Sequence, residues 1–146
     1  MAASALTREA RLGSYEIVRM FGAPREEVFA AWVTPGRLAR WFGPRFTAAP
    51  VERIVLDARR GGAWQVTLTA EEGFEVTFDG AYREVSPPER LVFTVGPAAL
   101  VTVELTRDDG GGTVLRFHES GPDVGPASRR GWSEFLDRLA EHLAEG

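Results

Sequence analysis

The chain has 146 residues, a formal net charge of −4 and no cysteine. That fits one domain, large enough to bury about 70% of the surface its unfolded chain exposes, and it excludes disulfides, thiolate metal sites and cysteine nucleophiles. The acidic balance argues against nucleic acid, which selects basic faces, and the one basic pair, Arg129 and Arg130, is too short for such a footprint.

No apolar run approaches the ~18 residues of a membrane span. The opening MAASALTREARLG lacks the apolar stretch of a signal peptide. Residues 1–13 are therefore expected to form a flexible tail, and 14–146 a single cytoplasmic domain without membrane contact. "GSYEIVRMF", Gly13 to Phe21, alternates and predicts a first strand. "APREEVFAAW" predicts a short helix with Pro24 at its first position and Glu26 and Glu27 in the first turn, where negative charge suits the helix dipole. Val28 and Trp32 then share a face.

"TPGRLARWF" repeats that design. Thr34 is placed to cap, Pro35 to start the helix, and Leu38, Trp41 and Phe42 form an i, i+3, i+4 stripe that Gly43-Pro44 ends. Arg37 and Arg40 fall on the other side, toward water. The spacing predicts an inward-facing wall and gate rather than a partner-binding face.

The middle of the chain reads as β. Two strands flank Asp57–Gly62, and Phe74, Val76, Phe78 and Tyr82 alternate with polar residues in the next. "RLVFTV", "LVTVELT" and "TVLRFHE" follow, with "DDGGG" (Asp108 to Gly112) as a hairpin loop. With the first strand this makes about seven.

From about Gly125 to Glu145, Trp132, Phe135, Leu136, Leu139 and Leu143 form one helical stripe. Gly131 inside it costs about 1 kcal/mol relative to Ala. The expected compensation is close approach of a backbone or a ligand. An antiparallel sheet with one apolar face needs a cover, and this helix supplies it.

"APREEVFAAWVTPGRLARWFGP", "LDARRGGAW", "YREVSPPERLVFT" and "GWSEFLDRLAEHL", in this order from about Tyr15 to Leu143, resemble the family of activator-of-heat-shock-protein-90-ATPase homologues. That family lies within the START/birch-pollen-allergen (SRPBCC) superfamily. The resemblance implies an α+β helix-grip fold: a seven-stranded antiparallel sheet around a long C-terminal helix, two short helices after strand one, and a largely hydrophobic cavity between sheet and helix. The eukaryotic co-chaperone behind the family name also carries a separate N-terminal domain. A chain starting almost at strand one is expected to leave no room for it, so the family name is not taken as the function.

Parity places Trp64, Val66 and Leu68, then Val76 and Phe78, then Phe93 and Val95 on the cavity side. Val101, Val103, Leu115 and Phe117 follow, and the long helix adds Trp132, Phe135 and Leu136. Trp32, Trp41 and Phe42 are expected to cap the mouth. His118 and His142 read as solvated surface residues. Glu119 shares the parity of Phe117 and is expected inside, capping a loop or pairing with an arginine, with a role as a base the lesser alternative.

No catalytic constellation, cofactor or metal site is evident. The expected function is binding of a small hydrophobic or aromatic molecule in a cavity between the sheet and the C-terminal helix, with a homodimer left open. The alternatives are a cyclase- or aromatase-like enzyme, which needs two polar side chains converging in the cavity, and a chaperone-associated interaction module, which needs an exposed apolar patch.

Overall fold

The computed structural model describes residues 12–145. All but the last two residues of the expected tail lie outside that range, and those two open the first strand. The order is β1 (Leu12–Phe21), α1 (Arg25–Val33), α2 (Pro35–Leu38), β2 (Thr47–Ala48), β3 (Ile54–Leu56), β4 (Ala63–Ala70), β5 (Glu75–Ser86), β6 (Arg90–Val95), β7 (Ala99–Arg107), β8 (Thr113–Pro122) and α3 (Pro126–Ala144). The strands form one antiparallel sheet, β1-β8-β7-β6-β5-β4-β2, with β3 also on β4. The two-residue β2 is the addition to the seven expected.

Alternation sets the inner face. On β8, Leu115, Phe117 and Glu119 are buried while Arg116 and His118 are exposed. β1 lies beside it with Ile17 opposite Phe117 and Tyr15 opposite Glu119. β5 makes the corner. Its first part pairs with β4 and its second with β6, and the register shifts between Tyr82 and Glu84, as a bulge that bends a strand does. Gly80 stands at this corner because nothing larger fits: a Cβ there would lie 1.8 Å from the Thr94 carbonyl oxygen.

Helix α3 turns Trp132, Phe135, Leu136 and Leu139 into the core. Its first turn is tied by the Ser128 hydroxyl, which accepts from the Gly125 N–H at 3.0 Å. Gly131 departs from expectation. It is exposed, and a Cβ there would meet no atom within 4 Å, so no close approach explains it.

The short helices are tighter than their sequence pattern. Pro24 stands just before α1, extended at ψ 157°, and its carbonyl accepts from the Glu27 and Val28 N–H groups. α2 keeps Pro35 at its start but ends at Leu38. Beyond it the Trp41 and Phe42 N–H groups both return to the Leu38 carbonyl. Gly43, at φ +113°, then reverses the chain, a conformation that costs glycine least. Helix α3 holds this reversal from below. The Arg138 guanidinium donates to the Gly43 and Pro44 carbonyls at 2.8 and 3.1 Å, and the Arg45 N–H donates to Glu134 at 2.8 Å.

Candidate functional site

The interior between sheet and helices is one continuous aromatic cluster. Trp132 lies 4.8 Å from Phe117 and 5.0 Å from Phe135 between ring centroids. Phe42 meets Phe135 edge-on at 5.0 Å, and Trp32 meets Trp41 edge-on at 4.7 Å. Such edge-to-face geometry matches the electron-poor edge of one ring to the electron-rich face of another. The rings leave little space.

A pocket of ≈ 20 Å³ remains where α1 and α2 face β3 to β6, lined by Trp32, Leu38, Phe42, Leu56, Trp64, Tyr82, Leu91 and Phe93. That is about the room one water molecule needs. No residue of α3 lines it: where a cavity is expected between the sheet and the C-terminal helix, Phe117, Trp132, Phe135 and Leu136 pack together instead.

Four expected site residues, Trp32, Phe42, Trp64 and Phe93, line this pocket. Val66, Val103, Phe117, Trp132, Phe135 and Leu136 are buried in the packed core beside it, and Phe78 is half-buried against Phe42 and Phe135. Trp41 is completely buried. It neither lines the pocket nor stands at its mouth but packs behind Trp32, with its indole N–H donating to the Ala31 carbonyl at 3.0 Å. Val76, expected inside, is half-exposed: its parity is right, but it lies out toward the hairpin end of β5. Phe74, on the same parity, is 69% exposed, and Phe46 is 86% exposed.

Besides Trp64, two lining side chains carry polar groups that parity alone does not reveal. The Trp64 N–H is used up on the Thr94 carbonyl at 2.9 Å. The Trp32 N–H is buried and has no partner. Buried donors are normally paired, with protein, with water or with a guest. The second group is the Tyr82 phenol, which burial and then the Asp57 carboxylate push up to about 12. It therefore stays protonated at neutral pH.

Away from the pocket, Glu119 is 4% exposed and accepts from the Tyr15 hydroxyl at 2.6 Å. Its partner is thus a tyrosine, not the expected arginine. Burial holds the Glu119 carboxyl above the ordinary carboxylate value, partly offset by that hydrogen bond. Neither residue lines the pocket. His118 is exposed as expected. His142 is not a solvated residue: both ring nitrogens are buried without partners. Burial, then the Arg37 and Arg40 charges, depress its pKa. Among the described residues no group of three or more His, Asp or Glu side chains is arranged to hold a metal ion, and no helix is long and apolar enough to cross a membrane.

An antiparallel sheet over a long C-terminal helix, with short helices after the first strand, defines a helix-grip α+β protein. Within that class the chain belongs to the activator of Hsp90 ATPase homolog 1-like family, whose sequence model matches residues 22–144. No curated protein matches it. Solved structures do. A protein from Chromobacterium violaceum is 28% identical, with 89% of this chain and 96% of that one covered and a TM-score of 0.77. An AHSA1-like protein from Aeromonas hydrophila is 23% identical over 91% and 93%, at 0.83. The AHSA1 protein from Silicibacter pomeroyi is 25% identical over 90% and 98%, at 0.72.

Proposed function

We propose that this protein binds a small hydrophobic or aromatic molecule in the pocket between its two short helices and the sheet, and that it does so in the cytoplasm. The observation that carries the reading is the pocket wall: apolar and aromatic side chains, among them Trp32, whose buried indole N–H has no acceptor in the protein. Apolar walls with a few placed polar groups are the usual form of small-molecule sites. The space as built is water-sized, so a larger guest enters by displacing a lining side chain. Phe42 is the natural one, because it sits on the turn after α2 rather than in a strand.

Native mass spectrometry of the purified protein, paired with melting in the presence of apolar aromatic compounds, tests this. The expected result is a co-purifying mass, or a melting temperature that rises with ligand, since a molecule bound only by the folded state stabilises it. A bare protein mass with no melting response across the panel refutes the proposal.

One observation favours a second reading, an interaction module. Phe46 and Phe74 are both exposed and neighbour each other through the sheet edge: Thr47 pairs with Ala70, whose N–H bonds the Phe74 carbonyl at 2.9 Å. Loss of a partner or of a homodimer in Phe46→Ser/Phe74→Ser, with ligand binding intact, would support it.

A further inference from the structure

We infer that the molecule this pocket selects is neutral, with an aromatic ring and a carbonyl-type oxygen that accepts from the Trp32 indole N–H. The inference rests on the proposal that the pocket is a ligand site.

Comparison of the tryptophans carries it. Trp41 and Trp64 are as buried as Trp32, and both give their N–H to a backbone carbonyl, Ala31 at 3.0 Å and Thr94 at 2.9 Å. Trp32 is 4% exposed and gives its N–H to nothing. The ring of Trp41, edge-on at 4.7 Å, is the nearest aromatic neighbour, and a ring face is a weak acceptor beside a carbonyl. An indole N–H only donates. The matching atom must therefore be an acceptor, which rules out an ammonium group at this point.

The charge of that acceptor follows from the surroundings. No residue lining the pocket carries a charge. The Asp57 carboxylate acts on Tyr82, one of the lining residues, and with burial helps keep its phenol protonated. A ligand carboxylate would be buried without a cation and would feel the same field, and unpaired buried charges are the costliest of all. A ketone or ester oxygen meets neither penalty. It also matches the ≈ 20 Å³ already open, so that only the ring has to make room. Trp64 and Phe93, edge-to-face at 5.5 Å, provide the wall against which a further ring packs.

Three probes of similar size separate the possibilities: acetophenone, cumene and benzoate. Each is titrated by calorimetry into the wild type and Trp32→Phe, and the four indole N–H signals are followed by ¹⁵N-resolved spectra of the wild type. Acetophenone should move the Trp32 indole proton downfield and cumene should not. Trp32→Phe should weaken acetophenone about fivefold relative to its effect on cumene, the usual worth of one neutral hydrogen bond, so that the change in the wall itself cancels in the ratio. Cumene and acetophenone binding with no difference in the indole shift overturns the inference and leaves the pocket standing. Benzoate binding as tightly as acetophenone overturns it too. No binding by any probe overturns the pocket reading as well. The indole shift is read on the wild type, so it decides even where Trp32→Phe folds poorly.

Discussion

Two parts of the interior differ in their mix of materials: the β7, β8 and α3 side holds the rings of Phe117, Trp132 and Phe135 and is otherwise aliphatic, while the α1, α2 and β3 to β6 side is mostly rings with Leu38, Leu56 and Leu91 among them. Strands β7 and β8 and helix α3 contribute Val101, Val103, Leu105, Leu115, Leu136 and Leu139, none more than 2% exposed. Around α1, α2 and β4 to β6 the filling is Trp32, Phe42, Trp64, Tyr82 and Phe93. Branched aliphatic side chains adjust to one another and carry no polar atom. Flat rings meet at fixed angles, leave gaps, and bring N–H and O–H groups that need partners. The space and the unpaired donor both fall in the aromatic part.

The largest test of this contrast removes one residue from each part. Trp41→Ala should cost about 3–5 kcal/mol in urea unfolding, and Leu136→Ala about 2–5 kcal/mol. Both side chains are completely buried. The difference lies in binding. Trp41 stands edge-on to Trp32, so its loss should alter affinity for an aromatic guest. Leu136→Ala should leave that affinity within about twofold once the protein is folded. Equal effects on binding would erase the distinction between the two parts.

Gly80→Ala comes next. The added Cβ would press on the Thr94 carbonyl and on the Trp64 indole nitrogen, 2.7 Å away. Overpacking of this kind costs about 1–3 kcal/mol. It should also disturb the Trp64 N–H bond to Thr94, visible as a shifted indole signal. A neutral substitution would mean that the β5 corner yields freely.

Buried Glu119 and half-buried His142 give slopes of opposite sign. The folded Glu119 pKa is raised by burial, so its contribution is complete below the unfolded value near 4.5 and is lost as pH rises through the folded one. The folded His142 pKa is depressed by burial and then by Arg37 and Arg40, against the opposing charges of Glu27 and Glu145. Its contribution is present above the unfolded value near 6.5 and is lost as pH falls through the folded one. Urea midpoints from pH 4 to 8 should lose their alkaline decline in Glu119→Gln and their acid decline in His142→Gln. Unchanged profiles in both variants would mean these groups are solvated.

Much of this is legible in the residues themselves. Parity separates Leu115 and Phe117 from Arg116 and His118, and helical spacing picks out Trp132, Phe135, Leu136 and Leu139. Periodicity is local, and it reports which face is buried. It does not report how far a cover extends, which is why Val76 reads as interior. Nor does it report partners. The acceptor for Trp64 lies 30 residues away and the donor for Glu119 lies 104 away. That Trp32 has none is a property of how every neighbouring carbonyl ends up placed. The half-burial of His142 escapes the helical pattern for a related reason: it sits beside the polar side of α3, where Glu27 on α1, Arg37 on α2 and Arg40 just after α2 share a surface pocket with it.

The smallest effect concerns Gly131, and its sign is positive. The residue lies well inside α3, where glycine gives up more backbone freedom on folding than any other residue. Its exposure and the open space where a methyl group would stand remove the steric reason for keeping it. Gly131→Ala should therefore raise stability by about 0.5–1 kcal/mol, read as a higher urea midpoint at unchanged slope. Affinity for an aromatic guest should stay the same, because position 131 faces away from the rings that Trp132 joins one residue later. A loss of stability would show that the first turns of α3 rest against something outside the described residues. A loss of affinity without loss of stability would restore Gly131 as part of the binding site.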